Sequence, residues 1–204
     1  MLHGRTDHTR VVMTMLRESL SADLIVELPN AVRLQRLVQT LREYFHSGAV
    51  GLLRLDGDDS LRPVATVGLV HEALGRRFVI AQHPRLAAIM ASREPTWFEP
   101  DSRLPDPYDG LLDTQVGEPL PVHDCMGVSL FVEGRPWGAI TLDALHAGTF
   151  DANAREQLKR CTLQIEAAVR VTRLEQENRS LRLSRNEPLA GLPSVEDGEI
   201  LGQS

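Results

Sequence analysis

Apolar and polar positions follow two different rhythms along this chain, and each change of rhythm marks an element. Leu34, Leu37, Val38, Leu41 and Phe45 recur every three or four residues through VRLQRLVQTLREYFH, which predicts an amphipathic helix with Asn30 as its N-cap. Residues 9–20 repeat that rhythm more briefly, with Val12, Met15, Leu16 and Leu20 on one side. AVGLLRLD (49–56) and RPVATVG (62–68) read as strands joined by an Asp-Gly-Asp-Asp turn. LVHEALG predicts a short helix ending at Gly75, RRFVIA (76–81) a strand, HPRLAAIMAS a short helix and PTWFE a short strand. CMGVSLFVEG and RPWGAITLD predict a hairpin turning at Glu133-Gly134-Arg135. Asp151 is then expected to cap a long helix whose core-facing positions include Leu158, Cys161, Ile165 and Ala168.

That last helix outruns the core pattern. Ala167, Val171, Leu174, Asn178 and Leu181 keep the alternating four-three spacing of coiled-coil a and d positions, flanked by the charges of RLEQENRSLR. A homodimer through this helix is the expectation, with Asn178 at an a position setting the register. RNEPLAGLPSVEDGEILGQS then reads as a linker rich in Pro, Gly and acids. The order of elements predicts an α+β fold. Its mainly antiparallel sheet should carry residues 30–46 and 151–175, the helices from both ends of the domain, side by side on one face.

Composition narrows the classes. With 204 residues, 42% of them hydrophobic, the chain can bury one substantial core. A net charge of −6 supplies no basic field for nucleic acid or an anionic membrane. The apolar runs are strand-sized, far below the ~20 residues of a membrane span, and no secretory signal is apparent. A cytoplasmic location is therefore expected. Cys125 and Cys161 are the only cysteines, too few for a disulfide scaffold.

Candidate chemistry gathers around residues 99–122, broken by Pro100, Pro105, Pro107, Pro119 and Pro121. Irregular stretches of that length inside a domain are usually functional. Asp106 and Asp109 lie about one turn apart. Strand alternation puts His123 and Cys125 on one face and turns Asp124 away. Asp143 closes the second strand of the hairpin, where an antiparallel partner would bring it near Cys125, and Arg85 begins the short helix. Plainer readings stand beside this one. Asp-Pro-x-Asp-Gly is a good turn sequence, Cys125 on an apolar strand suits a small buried hydrophobe, and Arg85 suits packing. No phosphate-binding glycine loop is present. Two cysteines without a C-x-x-C pair do not build a structural zinc site. A Cys–His hydrolase would bring its pair together from distant segments, unlike His123 and Cys125.

HPRL, LPDPYDGLL, VHDC-x-G and GAITLD stand in the order and near the spacing of a known family. Over roughly residues 28–175 the chain resembles the amino-terminal GAF sensory domain of NorR-type regulators, which are nitric oxide-responsive, sigma-54-dependent bacterial enhancer-binding proteins. The resemblance implies one non-haem ferrous iron, Fe(II), with Asp106, Asp109, His123, Cys125 and Asp143 matching the proposed ligands and Arg85 an arginine of the same site. A mixture of carboxylate, imidazole and thiolate suits Fe(II) better than Mg(II) or Zn(II). The resemblance further implies that nitric oxide binding relieves repression of a neighbouring ATPase domain, and that the chain is a sensor and not an enzyme. Asp124, where the family has a small uncharged residue, and Ser129, where it has proline, depart from the pattern. The resemblance leaves out the residues before Asn30. The expected division is an extension over 1–27, the GAF domain over 28–175, and a helical extension and linker over 176–204. EILGQS looks like the start of the ATPase domain, so a sensor fragment is expected. Arg85, a poor ligand because its guanidinium stays protonated, is expected to hydrogen-bond Asp109. The site loop is expected to add little core burial. The rival readings are a metal-free redox switch through Cys125 and a small-molecule-binding GAF module.

Overall fold

A computed structural model describes residues 14–119 and 124–186. The start of the first expected helix, His123 and most of the expected linker lie outside these. The described elements are α1 (14–22), α2 (Asn30–Phe45), β1 (Ala49–Leu55), β2 (Ser60–Val67), β3 (Phe78–Val79), α3 (Pro84–Met90), β4 (Thr96–Phe98), β5 (Cys125–Val132), β6 (Arg135–Asp143) and α4 (Ala152–Asn186). The six strands form one sheet in the order β3-β2-β1-β6-β5-β4. Every pairing is antiparallel, as expected for an α+β domain.

Alternation along the strands gives the sheet two apolar faces. On one, Val50, Leu52, Val128, Leu130, Ile140 and Leu142 meet Leu37, Val38 and Leu41 of α2 and Leu158, Cys161 and Ile165 of α4. The helices from both ends of the domain therefore share this face, as their apolar stripes required. Leu16 and Leu20 of α1 join the same core, so residues ahead of Asn30 are packed into the domain. On the other face, Ala49, Leu53, Leu61 and Ala139 meet Leu86 and Ile89 of α3 and Tyr108, Leu111 and Leu112 of the long loop. No helix among the described residues is long and apolar enough to cross a membrane.

Local chemistry explains the boundaries, including those that differ from expectation. Asp151 does cap α4: its Oδ1 accepts from the Ala154 amide at 2.7 Å. Asn30 does not cap α2. Pro29 holds that position, and the Asn30 side chain instead donates to Gln176 Oε1 at 3.1 Å and accepts from Arg179, tying α2 to α4. Glu133 and Gly134 turn the β5–β6 hairpin with φ of 54° and 76°. Two consecutive positive φ values make a two-residue turn whose twist matches the strands, so Arg135 belongs to β6. The segment 76–81 gives only Phe78–Val79 as strand, because Ile80 bonds back to Asp59 and the chain tightens into a 3₁₀ turn, Ile80–Gln82. LVHEALG is likewise 3₁₀, over His71–Gly75.

Candidate metal centre

The site sits on the second face of the sheet, where the strands carry small residues. A Cβ on Gly51 would lie 2.6 Å from the Tyr108 hydroxyl, and one on Gly127 would lie 2.6 Å from Ile89 Cδ1 and 2.8 Å from the Ile140 carbonyl. These two glycines make the room into which the long loop and α3 descend. Tyr108 fills it. Its hydroxyl bonds Thr141 Oγ1 at 2.8 Å and its ring packs edge-on against Phe78.

Leu111 and Leu112 follow Tyr108 into the core, and the backbone bonds Val70 N to Leu111 O (2.8 Å) and Asp113 N to Gly68 O (3.1 Å) fasten the loop to the end of β2. The expectation that this loop adds little burial is therefore wrong. Its apolar residues are part of the core because small strand residues leave a hollow that nothing else fills.

With the loop so anchored, Asp106 is turned inward. Its Oδ1 accepts from the Tyr108 amide at 2.9 Å and its Oδ2 from Arg85 Nη1 at 3.0 Å. Cys125, the first residue of β5, and Asp143, the last of β6, are direct cross-strand partners on the same face. One donor atom from each of Asp106, Cys125 and Asp143 lies within 4.8 Å of the other two, and all three residues are buried. Arg85 is buried beside them. Its Nη1 also donates to Cys125 Sγ at 2.6 Å, its Nε to the Leu104 carbonyl at 2.9 Å, and Phe98 lies under its guanidinium.

Three acidic groups around one guanidinium could not all ionise without an excess of negative charge, and burial makes that excess costly. Burial first, then the charge of Asp106, raises the Asp143 carboxyl well above the usual carboxylate range. Burial first, then Asp143 and Asp106, raises the Cys125 thiol, with Arg85 opposing. Asp143 Oδ2 is buried with no hydrogen-bond partner among the described residues. Two buried carboxylates and a thiol, with one carboxylate oxygen left without a hydrogen bond, form a donor set that a divalent transition metal satisfies. The residues present fit such an ion.

Of the residues singled out from the sequence, Asp106, Cys125, Asp143 and Arg85 come together. Asp109 is exposed and outside this cluster, with its amide bonded to the Asp106 carbonyl at 3.3 Å. His123 is not among the described residues. Arg85 bonds the carboxylate of Asp106, whereas Asp109 was the partner expected, because Tyr108 draws Asp106 beneath the loop. Asp124 does point to the other face, as strand alternation required. Tyr108 and Thr141 were missed, although glycines inside two apolar strands are a sign of close approach from outside the sheet.

The fold and this cluster define a GAF module. Residues 31–169 match the GAF domain family, and the chain belongs to it. It is 59% identical over 192 residues to the nitric oxide reductase transcription regulator NorR1 of Cupriavidus necator, covering 94% of this chain and 37% of that protein. It is 61% identical over 189 residues to NorR2 of the same organism, covering 91% and 36%. The resemblance read from LPDPYDGLL, VHDC and GAITLD thus extends over most of the chain, which spans a little over a third of the length of these relatives. A solved GAF domain from an Acinetobacter phosphoenolpyruvate-protein phosphotransferase superposes with a TM-score of 0.63 at 12% identity, covering 82% of this chain and 97% of that one. At that identity it speaks for the fold alone.

Proposed function

We propose that this domain senses nitric oxide for a transcription regulator, through one Fe(II) ion held by Asp106, Cys125 and Asp143. Asp109 and His123 are the further candidate ligands. The observation that carries this reading is the convergence of two carboxylates and a thiol around a buried oxygen without a partner. Bound there, Fe(II) supplies a coordination position that nitric oxide can take. The chain's own residues do the rest. Asp143 and Cys125, held protonated by burial and by the neighbouring charge, release their protons as they bind the dication, while Asp106 binds as the carboxylate already paired with Arg85. Tyr108 and Phe98 screen the pocket from water. Arg85 bonds two of the ligand side chains, so a change in either alters its partners. On this reading the arginine registers the gas and the domain then releases the ATPase domain of a sigma-54-dependent activator.

Burial and a raised pKa both argue against the redox-switch alternative, because a reactive thiol needs exposure and thiolate character. The pocket that a small effector would need is filled by Tyr108, which weighs against that alternative too. Spin-resonance spectroscopy of the anaerobically iron-loaded chain tests the proposal. A signal that appears with nitric oxide and is lost in Cys125→Ala is expected. Wild-type protein that binds no iron, or gives no signal, would overturn it.

A further inference from the structure

Asp124 stands between the expected ligand His123 and Cys125, is fully buried, and takes no part in the cluster just described. Its carboxylate is spread over two other elements. Oδ1 accepts from the Trp97 indole of β4 at 3.0 Å, and Oδ2 accepts from the amides of Thr149 and Phe150 at 2.9 and 3.3 Å. Those amides lie immediately ahead of Asp151, the cap of α4. The Asp124 carbonyl accepts from the Ala144 amide at 3.0 Å. Each of Cys125 and Asp143 is therefore one residue away from a member of this clasp.

A charged acceptor in a dry site holds its donors more strongly than a neutral one. The clasp also links the two strand-borne donors of the cluster to the start of the 35-residue α4. We propose that Asp124 is a positioning residue that couples the Cys125–Asp143 end of the hairpin to the start of α4. The coupling rests on the reading of that cluster as the sensing site, but it can be measured without metal.

The test is amide exchange at Thr149 and Phe150 in the metal-free chain, for wild type, Cys125→Ala, Asp124→Asn and the double variant. Asp124→Asn loses a charge-assisted acceptor, so both amides should exchange roughly ten- to a hundredfold faster. Cys125→Ala should change their exchange at least ~3-fold when Asp124 is present and leave it unchanged in Asp124→Asn, a non-additivity that separates coupling from mere structure. Additive effects would overturn the proposal.

If Asp124→Asn does not fold, Trp97→Phe keeps an aromatic ring but removes the indole donor to Oδ1. Its response to Cys125→Ala should be weakened, and a response equal to that of wild type would overturn the coupling. With iron and nitric oxide present, wild type should show altered exchange at the same amides. Asp124→Asn should keep the spin-resonance signal but lose that alteration, and retention of both would again overturn the coupling. Wild type without any signal would sink the iron reading alone, leaving the metal-free cycle to decide the clasp.

Discussion

Asp106 and Asp109 look equivalent in LPDPYDGLL, yet the fold gives them opposite surroundings. Asp106 is sealed in with Arg85, which is itself 1% exposed. Removing a buried carboxylate strands the guanidinium, and such losses run to about 3–5 kcal/mol. Asp106→Ala should therefore lower stability by that order and abolish iron binding. Asp109→Ala, at an exposed position, should change stability by no more than about 0.5 kcal/mol. If Asp109 joins the ligands on loading, this variant loses iron affinity alone. Urea unfolding of the metal-free variants, with iron content measured beside it, separates the two.

The raised Asp143 pKa has a sign that can be checked the same way. The folded chain keeps a proton that the unfolded chain has released above about pH 4, so Asp143's own contribution to metal-free stability, read as wild type against Asp143→Asn, should fall as pH rises from that region toward the folded value. Iron binding displaces the proton, so affinity should rise over the same range. A wild-type urea midpoint that gains on that of Asp143→Asn as pH rises would contradict the first statement, and iron affinity that is flat or falls would contradict the second.

At the level of elements, periodicity worked where one face of an element meets one core. The stripe of α2, the Leu158–Ala168 stripe of α4 and the β5–β6 hairpin were all legible for this reason. It worked less well where backbone bonds decide: 76–81 has strand-like residues but turns after Phe78–Val79. Polar residues at helix starts were ambiguous, since Asp151 caps its helix whereas Asn30 bridges two. The cluster itself was partly legible. An antiparallel hairpin was expected to bring Asp143 near Cys125, as it does, but only the packing of Tyr108 against Gly51 explains why Asp106 joins them. Gly51→Ala should therefore disturb the site without touching a ligand. The new methyl would meet the Tyr108 hydroxyl at 2.6 Å, against a β1 backbone fixed between β2 and β6. Overpacking of this kind costs typically about 1–3 kcal/mol. The expected result is a loop 99–119 with faster amide exchange and a weaker affinity for iron, while α2 and α4 keep their protection. Loop exchange equal to that of wild type would mean that Tyr108 does not anchor it.

At the scale of the whole molecule, α4 has two apolar sides. One carries Leu158, Cys161, Ile165 and Ala168 into the core. The opposite side carries Ala167, Leu174 and Leu181 outward, with Leu174 39% and Leu181 65% exposed. Val171 and Asn178 flank that row, and the four-three spacing matches the seam of a parallel two-stranded coil. Two copies aligned along α4 would bury both rows at once. The row spans just over two heptads, short for an independent coil, so pairing should be weak and dependent on concentration. Sedimentation at increasing concentration is expected to show reversible dimerisation. Leu174→Lys with Leu181→Lys should abolish it while leaving the iron content unchanged, and the unfolding midpoint too at concentrations where wild type is monomeric, because neither side chain reaches the core. Asn178→Leu should act the other way, strengthening association while relaxing its register, since a buried asparagine at an a position costs stability and fixes alignment. A strict monomer up to millimolar concentration would remove the pairing, and dimers that survive both lysines would place the contact on another surface.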